Sequence, residues 1–137
     1  MNESARTPAT DLRAPLGRAR GLGSTKHGAG HWRWQRITAV LLVPLGLWFA
    51  WAMVGLLEFG FDHSVFRAWA SEPGNALLMT LFVAAMFHHA ALGLQVVIED
   101  YVHGATAKTV SLFASNVGMA VLGLSSVLAV VRLSLGV

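Results

Sequence analysis

Apolar residues fill three long blocks of the chain, and polar residues lie before and between those blocks. The blocks cover about residues 34–57, 75–98 and 109–131. Each block is long enough to cross the hydrocarbon core of a bilayer as a helix, which takes roughly 20 residues. Because the apolar residues do not occur in short alternating runs, the pattern predicts an all-α membrane protein with three transmembrane helices.

The polar regions indicate how the rest of the chain is organised. Residues 1–32 are polar and rich in small residues, which predicts an amino-terminal arm followed by a membrane anchor domain over residues 33–137. By composition alone, this arm fits a disordered tail equally well. The segment 59–74 is predicted to contain a short helix at the membrane interface because of its aromatic residues, which are Phe59, Phe61, Phe66 and Trp69.

Composition and charge support this class of protein and exclude others. Hydrophobic residues make up 55% of the 137 residues and charged residues 12%, against about 25% charged residues in a soluble domain. The chain has no cysteine, which excludes disulfides, thiolate metal sites and cysteine catalysis. The net charge of +3 does not indicate binding to nucleic acid, because the basic residues gather before the first apolar block.

The distribution of basic residues predicts the orientation in the membrane. Loops that stay in the cytoplasm carry an excess of lysine and arginine. The region before the first block holds seven such residues, namely Arg6, Arg13, Arg18, Arg20, Lys26, Arg33 and Arg36, whereas the segment 59–74 holds only Arg67. We therefore expect a cytoplasmic amino terminus, a periplasmic first loop and a periplasmic carboxyl terminus.

Two adjacent histidines, His88 and His89, lie in the middle of the second block. Ionisable side chains at this depth are rare and usually functional, and a neutral imidazole can bind haem iron. Neighbouring helical residues point about 100° apart, so at most one of the two faces a given cofactor. His89 has Ala85 and Gly93 one turn away on each side, which leaves room for a flat macrocycle. The alternative is that each histidine forms a hydrogen bond to another helix.

Polar side chains also mark the end of the second block. Asp100 and Tyr101 stand there, with Tyr101 about 18 Å from His89 along a helix axis. A phenol at this depth can donate a hydrogen bond to a carbonyl ligand, and a neighbouring carboxylate can orient the phenol or supply protons. The pair fits an interfacial anchor as well. The segment from His31 to Arg36 likewise fits either an anchor belt or a clamp for carboxylates such as haem propionates.

The second block resembles one particular family of membrane subunits. The stretch from His89 to Gly104, with Gly93 one turn on and the Asp100–Tyr101 pair about three turns on, closely resembles the second helix of the D subunit of the succinate dehydrogenase membrane anchor. The spacing between histidine and tyrosine in that family selects His89 rather than His88. The start of the first block, from Arg36 onwards, is also similar, and the remainder of the chain matches mainly in hydropathy.

The resemblance implies a place in respiratory complex II of a bacterial inner membrane. In that family a flavoprotein subunit oxidises succinate, an iron–sulfur subunit passes the electrons on, and two membrane subunits hold a b-type haem and form most of the ubiquinone site. His89 would be one axial haem ligand, and the cytochrome b subunit (the C subunit) would supply the other. Tyr101 would donate to a quinone carbonyl beside Asp100. Arg36, and more weakly His31, would face the haem propionates.

Three alternatives stay open at this point. The chain could anchor a quinol:fumarate reductase, which runs the reaction in the other direction, or it could be a structural anchor without haem. A small transporter or channel component is a third class. Against that class, no row of charged residues crosses the three blocks.

Overall fold

The computed structural model describes residues 28–60 and 62–136, which form four helices. We name them α1 (Gly28–Glu58), α2 (His63–Ser71), α3 (Pro73–Tyr101) and α4 (Ala105–Leu135). Among the described residues there is no strand, and α1, α3 and α4 are each long and apolar enough to cross a membrane. The predicted all-α class with three transmembrane helices is therefore confirmed, and α2 is the short helix expected in the segment 59–74.

The helices extend beyond the apolar blocks that revealed them. Hydropathy marks only the stretch suited to the hydrocarbon core, whereas backbone hydrogen bonds continue through the polar headgroup region. As a result α1 begins at Gly28 and includes residues 28–32, which the sequence analysis assigned to the arm. The rest of the arm, residues 1–27, lies outside the described residues, as does Phe61.

Helix α3 lies between α1 and α4 and packs against both. Small residues set how closely these helices approach, as is common in membranes. A Cβ atom at Gly46 of α1 would lie 3.8 Å from Phe82 of α3, which is ordinary contact. On the other side, a Cβ atom at Gly123 of α4 would lie only 3.1 Å from the Cβ of Phe87. A side chain at position 123 would therefore crowd Phe87, so the contact between α3 and α4 favours glycine there.

Helix α2 closes one end of the bundle through aromatic packing. The Trp69 ring stacks on Trp48 of α1 with 5.7 Å between centroids, and it also lies 5.7 Å from the Phe66 ring. The fully buried Ala70 packs in the same cluster as Met79 of α3 and Val130 of α4. Helix α2 thus touches all three long helices at this end.

The first turn of α2 is capped by Asp62, whose carboxylate accepts hydrogen bonds from the Ser64 hydroxyl at 2.8 Å and the His63 backbone N–H at 2.6 Å. These two hydrogen bonds, that of Ser64 first, hold the pKa of Asp62 below its usual value of 3.8. The charged carboxylate therefore stabilises α2 at neutral pH. That contribution is lost as the pH falls through the lowered pKa of the folded state.

We expect Gly123→Leu to lower the stability of the anchor by about 1–3 kcal/mol, because the new side chain collides with Phe87 and overpacks the α3–α4 contact. Thermal unfolding of the purified complex measures the effect. Gly118→Leu is the matched control on the same helix, since a Cβ atom there meets no heavy atom within 4 Å. Equal losses in both variants would contradict the assignment of Gly123 to this contact.

We expect Asp62→Ala to speed amide hydrogen exchange over residues 63–71 at pH 7, because the variant lacks the N-cap acceptor. Asp62→Asn keeps a side-chain oxygen but lacks the charge, and its protection should lie between those of wild type and the alanine variant. The difference between wild type and the alanine variant should shrink as the pH falls below 3.8 and through the lowered pKa of the folded state, where the wild-type carboxyl becomes protonated. A difference that stays constant down to the lowest pH would show that the carboxylate charge is not involved.

Candidate histidine site between the first and third helices

The His89 side chain is half-buried where α3 packs against α1. Its Nδ1 atom lies 2.9 Å from the Oγ1 atom of Thr38 on α1. Thr38 is almost completely buried, with 4% of its surface exposed. The same hydroxyl lies 2.8 Å from the backbone carbonyl oxygen of Trp34 and 3.1 Å from that of Gln35. One ring nitrogen of His89 is therefore engaged inside the protein, and Nε2 is the nitrogen left for another ligand.

Thr38 belongs to a line of polar residues on the α3-facing side of α1. His31, Gln35 and Thr38 follow one another at spacings of four and three, which places them on one face of the helix. Within the described part of the chain, the buried Nε2 atom of His31 and the buried Oε1 atom of Gln35 have no hydrogen-bond partner. The spacing was visible in the sequence, but Gln35 and Thr38 were missed because neither residue is ionisable.

The space beside Gly93 differs from the sequence-based expectation. Gly93 was expected to leave room for a flat macrocycle next to His89. A Cβ atom at Gly93 would instead lie 3.8 Å from the side-chain Nε2 of Gln35, so the glycine accommodates a residue of α1. Within this chain, a planar ligand on Nε2 of His89 would have to lie away from that contact.

His88 occupies a different environment from its neighbour, as the 100° rotation per residue requires. It is exposed and meets the Trp34 ring edge-on, with 5.9 Å between ring centroids. It lines two grooves, one of about 470 Å³ between α3 and α4 with Gln95 and Asn116, and one of about 690 Å³ between α1 and α3. The two histidines therefore face separate surroundings, and only His89 has a fixed polar partner on another helix.

Tyr101 and Asp100 lie at the exposed end of α3, where Tyr101 has 77% of its surface exposed. Glu99, which precedes this pair, makes two hydrogen bonds. Its side-chain carboxylate accepts from the Gln95 amide at 2.8 Å, and its backbone carbonyl oxygen accepts from the Lys108 ammonium at 2.7 Å. Lys108 thereby caps the end of α3 and ties it to α4. The phenol and the Asp100 carboxylate are left at the surface, available to a ligand.

Arg36 and His31, which were both expected near haem propionates, lie on different faces of α1. Arg36 stands two residues before Thr38 and therefore points about 160° away from it around the helix. Its guanidinium lies 4.4 Å from the centre of the Trp32 ring, a cation–π contact. His31 stands two turns before Thr38 on the same face. The chain thus brings His31 to the His89 side of α1 and does not bring Arg36 there.

The contacts between α1 and α3 also fix the relative depth of these residues. Thr38 lies opposite His89 and Gln35 lies beside Gly93, so the two antiparallel helices are in a defined register. In this register Arg36 is level with residue 92, about 4.5 Å along the axis from His89. Tyr101 therefore lies close to the level of Gly28, where α1 begins. The predicted quinone residues and the start of α1 share one end of the bundle.

The described residues contain no group of three histidine, cysteine, aspartate or glutamate side chains that could hold a metal ion. A single half-buried imidazole with one nitrogen engaged suits a different arrangement. It can supply one axial ligand to a metal that already carries its equatorial ligands, with the second axial ligand coming from another chain.

Comparison with known proteins identifies a family for residues 10–132. They match the family model described as the succinate dehydrogenase/fumarate reductase transmembrane subunit. The chain is 38% identical over 92 residues to the succinate dehydrogenase hydrophobic membrane anchor subunit of Rickettsia bellii, covering 67% of this chain and 72% of the relative. It is 32% identical over 122 residues to the subunit of the same name in Paracoccus denitrificans, covering 89% and 92% of the two chains. No solved structure matches the chain.

Proposed function

Since the chain belongs to the succinate dehydrogenase/fumarate reductase transmembrane subunit family and is a membrane anchor subunit of succinate dehydrogenase, we propose that it supplies one axial ligand to a b-type haem through His89 and helps to form a ubiquinone site at Tyr101 and Asp100. As such a subunit it belongs to an oxidoreductase complex and associates with the membrane and with the other subunits. Its proposed partners are the cytochrome b (C) subunit, the iron–sulfur subunit and the flavoprotein subunit.

The observation that carries the haem proposal is the environment of His89. The imidazole is half-buried in the apolar bundle, its Nδ1 is 2.9 Å from Thr38 and its Nε2 is left for iron. A haem bound there would exchange single electrons through its iron. The residues of this chain would hold and orient it, since His89 fixes the distance of the macrocycle from α3. For the haem propionates, position favours His31, because it lies on the same face of α1 as Thr38. Arg36 would reach only a ligand that extends around α1.

The C subunit is the proposed source of the second axial ligand. Of the adjacent pair, one imidazole at most can face a given haem, because His88 points about 100° away from His89. The groove between α3 and α4, lined by His88, Gln95 and Asn116, is also open in the single chain. A second membrane subunit would therefore complete the haem ligation and share the burial of apolar surface.

The quinone proposal rests on Tyr101 and Asp100. The Tyr101 hydroxyl can donate a hydrogen bond to a quinone carbonyl, and this bond strengthens as the carbonyl oxygen gains negative charge on reduction. Asp100, beside it at the water-facing end of α3, can take up a proton from solvent and pass it to the reduced quinone. Basic residues before α1 favour a cytoplasmic location for this end and a periplasmic carboxyl terminus. The iron–sulfur subunit would then deliver its electrons to the same side.

Direction of turnover is the remaining choice within the family. The family description covers both succinate dehydrogenase and fumarate reductase, whereas the relatives named above are succinate dehydrogenase subunits. We therefore propose succinate:ubiquinone oxidoreduction rather than fumarate reduction. An anchor without haem is the competing possibility, and the spectrum of the purified complex separates the two.

We expect His89→Ala to remove the low-spin b-haem signal from the reduced-minus-oxidised spectrum of the assembled complex, because the variant lacks the proposed axial nitrogen. His88→Ala is the matched control one position away and should retain the signal. Succinate oxidation by a soluble dye, measured in the washed membrane fraction, reports whether both variants still bind the soluble subunits. Loss of haem in the His88→Ala variant alone would show that His88, and not His89, is the ligand.

We expect Tyr101→Phe to slow ubiquinone reduction by about tenfold, the effect of losing one hydrogen bond worth roughly 1.4 kcal/mol in the transition state. Succinate oxidation by a soluble dye does not use the quinone site and should stay at the wild-type rate. Because Tyr101 is exposed and its ring is retained, the substitution should leave folding intact. A parallel fall in both activities would indicate an assembly defect and argue against a quinone contact.

A further inference from the structure

We infer that Thr38 is a positioning residue that fixes the tautomer and ring orientation of His89, so that Nε2 of His89 is presented as a metal ligand. This inference rests on the proposed haem ligation. Thr38 lies on α1, whereas the proposed iron ligand His89 lies on α3. Neither the residue type of Thr38 nor its position in the sequence indicates this role. The Thr38 hydroxyl makes three polar contacts, and together they decide which nitrogen of His89 carries the proton.

The Thr38 hydroxyl has one proton to donate and three candidate acceptors within reach. Two of these are the backbone carbonyl oxygens of Trp34 and Gln35, at 2.8 and 3.1 Å, which can only accept. The third is Nδ1 of His89 at 2.9 Å, which accepts in one tautomer and donates in the other. All three contacts are satisfied together only when the proton points to the carbonyl oxygens. In that case Nδ1 carries a proton and donates it to Thr38 Oγ1.

A proton on Nδ1 leaves the lone pair of the neutral imidazole on Nε2. That is the form in which histidine binds iron through Nε2, and the partner of the other nitrogen decides which form is present. Without Thr38, the ring could rotate or carry its proton on Nε2. The structure therefore supplies the second hydrogen bond that metal-binding histidines usually have, and here its acceptor is a threonine instead of a carboxylate or carbonyl group.

Burial makes this contact hard to replace. Thr38 is only 4% exposed, so bulk water does not compete for its hydroxyl. The carbonyl contacts within α1 hold the side chain in one rotamer before any ligand binds. A hydrogen bond in a surrounding of low dielectric constant is also stronger than one in water, and a buried N–H that loses its acceptor is costly. Removal of the hydroxyl should therefore disturb the ligand, although Thr38 itself does not touch the metal.

The experiment compares Thr38→Val and Thr38→Ser in the intact purified complex, with Thr80→Val as the matched control. Thr80 makes the same type of bond to the carbonyl four residues earlier, at 2.8 Å from Ala76, but it has no histidine partner among the described residues. Valine preserves the shape of threonine without the hydroxyl, and serine preserves the hydroxyl. The measurements are the midpoint potential of the b-haem, the low-spin electron paramagnetic resonance spectrum and the haem content per complex.

We expect Thr38→Val to raise the haem potential, because an imidazole that no longer donates from Nδ1 is a weaker electron donor to ferric iron. A tenfold change in the reduction equilibrium corresponds to about 59 mV for one electron. We also expect a changed low-spin spectrum and a lower haem content. Thr38→Ser and Thr80→Val should match wild type. If the valine variant assembles poorly, Thr38→Ala removes the same hydroxyl with a smaller side chain and should give the same shift.

Two results would overturn the inference. One is a haem potential and spectrum in Thr38→Val, and in Thr38→Ala, identical to those of wild type and Thr80→Val. The other is a serine variant that behaves like the valine variant, which would point to packing by the methyl group instead of the hydroxyl. If the proposed haem ligation itself were wrong, the wild-type complex would lack b-haem, or the His89→Ala variant would keep it. Both of these outcomes differ from the two results above.

Discussion

The close approach of helices α1 and α3 is the constraint on which the rest of the structure depends. Helices in a bilayer gain no hydrophobic energy by leaving lipid for each other, so contact must come from close packing and hydrogen bonds. Gly46 and Gly93 lie at the packing contacts, where a Cβ atom would be 3.8 Å from Phe82 and from Gln35 of the other helix. Thr38 and His89 supply the hydrogen bond between the helices. The register that results decides which residues share a face and a depth.

That register separates two histidines that are adjacent in the chain. His89 contacts Thr38 inside the α1–α3 contact, where its orientation is fixed, whereas His88 is exposed, meets Trp34 edge-on and lines the grooves on both sides of α3. The first environment suits a ligand that must hold one geometry in two oxidation states. The second suits a contact with another membrane subunit, which can reorganise as the subunits meet. In the proposed function, one histidine of the pair would therefore serve the cofactor and the other the contact between subunits.

The sequence was sufficient for the membrane class, the number of spans and the short helix in the segment 59–74, because hydropathy and aromatic content belong to consecutive residues. It was not sufficient for the partners of His89. The contact with Thr38 joins positions 51 residues apart, and it depends on packing at Gly46 and Gly93 that no local pattern reports. The expectation that both His31 and Arg36 face haem propionates depended on the course of α1. Once α1 is known to start at Gly28, a separation of five residues places the two side chains about 140° apart.

The way in which the helices are joined makes the two ends of the bundle mechanically unequal. Helices α3 and α4 are tied at one end by the short connection after Tyr101 and at the other by α2, which packs across both. Within the described chain, α1 is joined to the next helix only at the α2 end, and nearer its other end it is held to α3 by side-chain contacts, those of Thr38 with His89 and of Gln35 with Gly93. Separation of α1 from α3 at the end that bears His31 would therefore break these contacts without straining a chain connection.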